Sequence, residues 1–231
     1  MQVEGGNIAQ KGITIRVDEG PGGVVAGKAW MLYDHDTMRL AAAWTGDRFV
    51  DWRGIAFDGS HGTHTSISGE RKFVFPNLPM WANPETGDYE DLRISGRDNK
   101  PYGPLPGAWV RFRGLRYAGD DAVVSYTVGK RKVEEIPQWN AGTGSFVRIM
   151  RVGAGKEPLR MKLETAAEHI FPPEENPRVY RIIINETVRV EAGEPWDEKR
   201  FDPEPGRRFP GRLVTTIVPG AEEGPFAIDV L

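Results

Sequence analysis

The chain has 231 residues and a formal net charge of −3, with 28 glycines, 18 prolines and no cysteine. The lack of cysteine excludes disulfides, thiolate catalysis, c-type haem attachment and cysteine-ligated zinc within this chain. Seven tryptophans and ten phenylalanines exclude a disordered chain. The densest basic stretch, Arg111, Arg113 and Arg116, alternates with apolar residues. It predicts the solvent-facing side of a strand, so we expect no nucleic-acid partner.

Runs rich in β-branched and aromatic residues recur about every ten residues, separated by Gly, Pro, Asp or Asn. The predicted strands are Gly12–Asp18, Ala29–Tyr33, Met38–Trp44, Trp52–Phe57, Ile67–Phe75, Trp109–Tyr117, Ala122–Val128, Phe146–Val152, Leu159–Glu164, Val179–Ile184, Thr187–Val190, Leu213–Val218 and Phe226–Val230. Only Glu164–Ile170 predicts a helix, which the following prolines would end. Strands without βαβ alternation predict an all-β fold. We expect an antiparallel β-sandwich of jelly-roll or lectin-like type with at most one short helix, and a barrel is the alternative.

The pattern predicts one domain over residues 1–231, with residues 12–140 rich in motifs and residues 220–231 a linker toward a downstream domain. No run of apolar residues is long enough for a membrane span, so we expect none. Met1–Gly6 does not have the character of a signal peptide, so we expect no signal peptide either. Pro76–Gly107 has few strand signals and is predicted to be one long ordered loop, because compact domains seldom carry such a segment without a reason.

Aromatic residues in and beside this loop are candidate ligand-binding residues. If their rings are exposed, they could stack on sugars; if buried, they would form a small core of the loop itself. These candidates are Trp81, Tyr89, Tyr102 and Trp109. Three other tryptophans, Trp30, Trp44 and Trp52, lie in apolar runs and are predicted to be in the core.

A second set of candidates could ligate a metal. His61 and His64 stand three residues apart around a glycine, and Asp34 and Asp36 could complete a mixed nitrogen and oxygen site for a first-row transition metal. The alternative is structural, because Asp side chains in turns commonly bond their own backbone. Hard oxygen ligands for calcium are available at Asp88, Glu90, Asp91, Asp98 and Asn99, although not at EF-hand spacing.

Several long motifs resemble an uncharacterised domain near the N-terminus of large secreted bacterial proteins. The motifs are GITIRVDEGPGGVVAGKAW (12–30), YDHDTMRLAAAWTG (33–46), DWRGIAFDGSHGTH (51–64), WANPETG (81–87), RDNKPYGPLP (97–106) and SYTVG (125–129). In those proteins the domain precedes a β-propeller similar to glucose/sorbosone dehydrogenases and often a c-type cytochrome domain. The resemblance is close over residues 12–140. It implies a periplasmic or secreted redox context, with the propeller and cytochrome domains as partners.

This chain has neither the propeller nor the C-x-x-C-H haem motif, so no redox centre can be placed on its residues. We therefore expect a non-catalytic β-sandwich module that needs no cofactor of its own. It would dock a neighbouring domain of an extracytoplasmic redox protein, or bind carbohydrate. The alternative is a metal-dependent enzyme or metal-binding domain centred on His61 and His64 with Asp34 and Asp36.

Overall fold

The computed structural model describes residues 1–55, 63–118, 121–185 and 187–195. Nearly all regular structure in these ranges is β, which confirms the all-β prediction. The strands are β1 (Gln2–Glu4), β2 (Asn7–Ile8), β3 (Gly12–Arg16), β4 (Ala29–Asp34), β5 (Arg39–Thr45), β6 (Val50–Asp51), β7 (Ser66–Ile67), β8 (Glu70–Val74), β9 (Ile94–Ser95), β10 (Pro101–Tyr102), β11 (Val110–Ala118), β12 (Asp121–Val128), β13 (Arg131–Asn140), β14 (Ser145–Val152), β15 (Leu159–Lys162), β16 (Glu168–Phe171), β17 (Arg178–Ile184) and β18 (Val188–Pro195). A short 3-10 helix spans Val24–Ala26. In the described part of the chain there is no helix whose length and apolarity would let it cross a membrane.

Two antiparallel sheets form the body of the protein. One has six strands in the order β11-β12-β13-β14-β17-β18, and the other has four in the order β3-β4-β5-β8. Alternate residues of each strand face the opposite sheet, as the pleat requires; on β12 these are Ala122, Val124, Tyr126 and Val128. They meet Met31 and Tyr33 of β4 in one shared core, so the two sheets form a sandwich. Strands within each of these two sheets follow chain order, as in a meander. This order differs from that of a jelly roll, which contains Greek-key crossings.

A third, smaller layer covers the outer face of the four-stranded sheet. It is the sheet β2-β1-β7-β6. Between these layers Trp30 and Trp44 stack with ring centroids 5.7 Å apart, and Phe49 packs against both rings. All six residues of β4 are buried because both of its faces are covered. The predicted core positions of Trp30 and Trp44 are confirmed.

Three local predictions are wrong. The segment predicted as the helix Glu164–Ile170 instead ends in β16, which pairs with β15 as a hairpin and buries Phe171. The predicted strand Trp52–Phe57 is not formed over residues 52–55, and its last two residues lie outside the described ranges. Trp52 follows β6 and is 57% exposed, so it is not a core residue. The predicted strands Leu213–Val218 and Phe226–Val230, and the predicted linker over 220–231, lie outside the described residues.

The segment 76–107, called here the long loop, is ordered as predicted. Its residues Met80–Ala82 run along β15: Ala82 N–H donates to the Arg160 carbonyl at 2.9 Å, and Lys162 N–H donates to the Met80 carbonyl at 2.8 Å. The segment therefore extends the β15–β16 hairpin by one short strand-like stretch. This pairing brings Met80 and Trp81 into the sandwich core.

Candidate functional site

The turn between β4 and β5 contains two of the four metal-ligand candidates, Asp34 and Asp36, and both are buried. Asp34 accepts from Arg39 Nε at 3.2 Å and from the Asp36 backbone N–H at 3.2 Å. Asp36 forms an ion pair with Lys11 at 2.9 Å and also contacts His35 Nδ1 at 3.1 Å. Each carboxylate thus already has a cationic partner.

The same turn holds both ends of the long loop. Arg39, which is fully buried, donates to the carbonyls of Phe75 and Pro76 at 2.7 Å each, where the loop begins. The Asp36 carbonyl accepts from Leu105 N–H at 2.9 Å, where the loop ends. In the described structure Asp34, through Arg39, and the backbone carbonyl of Asp36 thus connect the β4–β5 turn to the two ends of the loop.

The histidine half of the predicted metal site is only partly described. His64 lies just before β7 and is half-buried, and burial together with the positive amino terminus lowers its pKa. His61 lies outside the described residues. Among the residues that the structure does describe, no three His, Asp or Glu side chains are grouped closely enough to hold a metal ion.

Three of the calcium candidates in the long loop, Asp88, Asp91 and Asp98, are engaged in local contacts. Asp88 accepts from the Glu90 backbone N–H at 3.1 Å. Asp91 accepts from the Arg93 backbone N–H at 3.1 Å, and Asp98 accepts from the Lys100 backbone N–H at 3.2 Å. These are the turn-type bonds that aspartates commonly make in loops.

The four aromatic candidates divide into two buried and two accessible residues. Trp81 is fully buried and Trp109 nearly so, and the Trp109 indole N–H donates to the Trp81 carbonyl at 3.1 Å. Tyr89 is half-buried; its hydroxyl donates to Glu168 at 2.5 Å, and the Lys162 ammonium lies 4.3 Å from its ring centroid. Only the Tyr102 ring remains substantially exposed, so a sugar platform built from all four is not available.

The long loop also carries a group of exposed apolar side chains. Four large apolar side chains with 38–80% exposure lie on or beside the β9–β10 hairpin, and we call them the loop patch. They are Leu78, Leu92, Ile94 and Tyr102. Ile94 and Tyr102 are direct partners across the hairpin. Ile94 is the most exposed of the four, at 80%.

The loop patch is held by a buried arginine. Arg93 lies between Leu92 and Ile94, and its guanidinium donates to both carboxylate oxygens of Asp91 at 2.7–3.2 Å. It also donates to the Asn77 carbonyl at 3.1 Å and to the Asn77 side chain at 3.2 Å. Asn77 precedes Leu78, so these hydrogen bonds from Arg93 hold Leu78 near the hairpin. The patch is therefore displayed on ordered backbone.

Sequence reasoning named Tyr102 but missed the other three members of the patch. A signal was present, because Leu92 and Ile94 alternate around a charged residue inside an otherwise polar, proline-rich segment. The alternation fits a short strand. What the sequence could not show is that both side chains point to solvent.

A family model described as a domain of unknown function, DUF6797, matches residues 31–135. The match runs from β4 to the first half of β13 and includes the β4–β5 turn and the whole long loop. No curated protein and no solved structure matches the chain.

Proposed function

We propose that this chain is a non-catalytic β-sandwich module that docks a neighbouring protein domain through the loop patch. The observation that carries this function is the exposure of Leu78, Leu92, Ile94 and Tyr102 on or beside the β9–β10 hairpin. Contiguous exposed apolar patches on a folded protein commonly mark interaction sites, whereas single exposed apolar residues need no explanation.

The surroundings of the patch suit a protein interface. Charged side chains that reach solvent lie beside it: Asp98 is 3.8 Å from Lys100. An apolar centre surrounded by polar groups is the usual anatomy of such interfaces. Because Arg93 already fixes the backbone, little conformational entropy would be lost on binding.

The partner that we propose is the β-propeller of an extracytoplasmic redox protein. This choice rests on the resemblance of the long motifs, two of which (81–87 and 97–106) lie in the long loop that carries the patch. Under this proposal the module lies in the periplasm or outside the cell and acts as a scaffold, with the redox chemistry in the partner.

The test uses the complete chain and a separately produced glucose/sorbosone-dehydrogenase-like propeller from a protein that carries both domains. Calorimetry should detect a complex, and Ile94→Asp should weaken it at least about tenfold, since a charge replaces a desolvated apolar anchor. The matched control is Val25→Asp, at a residue that is also exposed but lies in the 3-10 helix.

Two results would contradict the proposed docking function. One is the absence of any complex at concentrations up to about 1 mM, which is weaker than specific domain pairs usually bind. The other is an equal effect of Ile94→Asp and Val25→Asp. Sedimentation of the chain alone is run in parallel, because self-association through the patch would replace the propeller as its partner.

A further inference from the structure

An open cleft lies at the end of the sandwich opposite the β4–β5 turn. Lys28 precedes β4 and Thr45 ends β5, so both lie at the far end of the hairpin from Asp34 and Asp36. The cleft has a volume of about 480 Å³, within the usual range for small-molecule sites. Its lining comes from both main sheets: Lys28, Thr45, Gly46, Asp47, Lys72, Trp139 and Gly144. None of these residues belongs to the loop patch.

Trp139 supplies the apolar wall of the cleft. It is the cross-strand partner of Phe146 near the β13–β14 turn, and the two ring centroids are 4.6 Å apart. Phe146 is fully buried, whereas Trp139 is only half-buried and borders the cleft. The tryptophan therefore rests on the core while part of its indole lies at the cleft. Aromatic rings placed in this way combine a large apolar surface with little loss of side-chain entropy on binding.

The polar lining provides both donors and acceptors. The Lys28 ammonium is 2.8 Å from Asp47, and the Lys72 ammonium is 2.6 Å from Glu70. A lysine ammonium has three N–H donors, so each lysine keeps donors free after bonding its carboxylate. Each of the two ammonium groups is thus paired with a carboxylate, Lys28 with Asp47 of the lining and Lys72 with Glu70, which lies outside it.

We infer that this cleft binds a neutral carbohydrate, with a pyranose ring against Trp139 and its hydroxyls bonded to Lys28, Asp47 and Lys72. The C–H face of a pyranose is apolar and suits the indole, while each hydroxyl both donates and accepts and so suits an ammonium–carboxylate pair. A polyanion is disfavoured, because its charges would approach the carboxylates of Asp47 and Glu70 as well as the two lysines. The inference is independent of the docking function, since the two surfaces share no residue.

The experiment is an NMR titration of the complete chain with neutral hexasaccharides of glucose, mannose and xylose, and with a hexamer of galacturonic acid as the anionic comparison. At least one neutral sugar should bind and shift the Trp139 indole N–H signal. Trp139→Phe should weaken that binding about tenfold or more. The double variant Lys28→Gln, Lys72→Gln should do the same, because it removes hydrogen bonds from charged donors.

Trp52→Phe is the matched control, since Trp52 is an exposed tryptophan that does not line the cleft. This variant should bind the neutral sugar as tightly as the unchanged protein. If Trp139→Phe does not fold, the double lysine variant decides, because Lys28 is largely exposed and Lys72 lies at the surface. The inference is overturned if no neutral sugar binds, if the galacturonate hexamer binds more tightly than every neutral sugar, or if neither cleft variant differs from Trp52→Phe.

Discussion

At the centre of the sandwich core Glu135 and Arg148 form an ion pair on adjacent strands, β13 and β14. Arg148 Nε and Nη2 donate to the two oxygens of Glu135 at 2.9 and 2.8 Å. The Tyr33 hydroxyl donates to Glu135 at 3.1 Å from the opposite sheet, and the Tyr126 hydroxyl donates to its other oxygen. Burial, followed by the nearby Glu135 charge, raises the pKa of both tyrosines, so they remain protonated donors. Every oxygen of Glu135 is thus satisfied without water.

Arg148→Met should lower the free energy of unfolding by about 3–5 kcal/mol, because it leaves the Glu135 carboxylate buried without its cation. Urea denaturation measures the change. The matched control is Arg53→Met, which breaks an ion pair with Asp51 whose arginine is 91% exposed; it should leave the free energy of unfolding nearly unchanged, because solvent screens exposed ion pairs. A cost of Arg148→Met as small as that of the control would mean that the core network adds nothing to stability.

At the scale of elements, the predicted strands over the apolar, β-branched runs largely match the structure. The central strand β13 was missed, because Arg131–Asn140 contains two glutamates and Pro137. Both features have local explanations that only the fold reveals. Glu135 is paired with Arg148, and Pro137 lies beyond the last position at which β13 pairs with β12, so no ladder bond to β12 is lost there.

At Glu164–Ile170 the sequence pattern predicted a helix where the structure instead ends in strand β16. Its alanines favour a helix by intrinsic propensity, but a seven-residue helix is unstable by itself. Pairing with β15 instead buries Phe171 against Trp81 and Tyr180. The tertiary contact therefore outweighed the local helix propensity. A single sequence does not show which distant strand a segment will pair with.

The long loop depends on Arg39 more than on any turn residue within it. The Arg39 guanidinium reaches Asp34, two carbonyls at the start of the loop and the Ile8 carbonyl at 3.4 Å. Lysine carries its charge on one atom and cannot span these acceptors. Arg39→Lys should therefore raise amide hydrogen exchange in residues 76–107 while the six-stranded sheet remains protected. Exchange followed by mass spectrometry measures this change.

Arg16 offers a matched control for that experiment. It pairs with Asp18 and donates to the carbonyls of Glu19, Pro21, Gly22 and Gly23, so it organises a different turn in a similar way. Arg16→Lys should raise exchange around residues 19–28 and leave the long loop unchanged. Unaltered exchange in residues 76–107 of Arg39→Lys would show that the loop is held by its buried aromatic residues alone.

At the scale of the whole molecule, the sequence predicts which residues are apolar but not which of them the layers cover. Trp81 and Ile94 lie in the same loop, yet one is fully buried and the other is 80% exposed. The difference arises because Trp81 pairs with Met161 of β15, while among the described residues Ile94 pairs with Tyr102 alone. The candidate surfaces therefore follow from the packing of distant elements, and sequence reasoning recovered Tyr102 alone from the loop patch.

The three-layer arrangement makes the tryptophans of β4 and β5 central to stability. Trp44→Ala should lower the free energy of unfolding by about 3–5 kcal/mol, because it opens a cavity between the four-stranded sheet and the N-terminal layer. Trp52→Ala changes a tryptophan only eight positions away that the layers do not cover, and it should cost less than about 1 kcal/mol. Thermal and urea unfolding of both variants give the comparison. Similar losses for the two would contradict the layer assignment, since they would require Trp52 to be as deeply packed as Trp44.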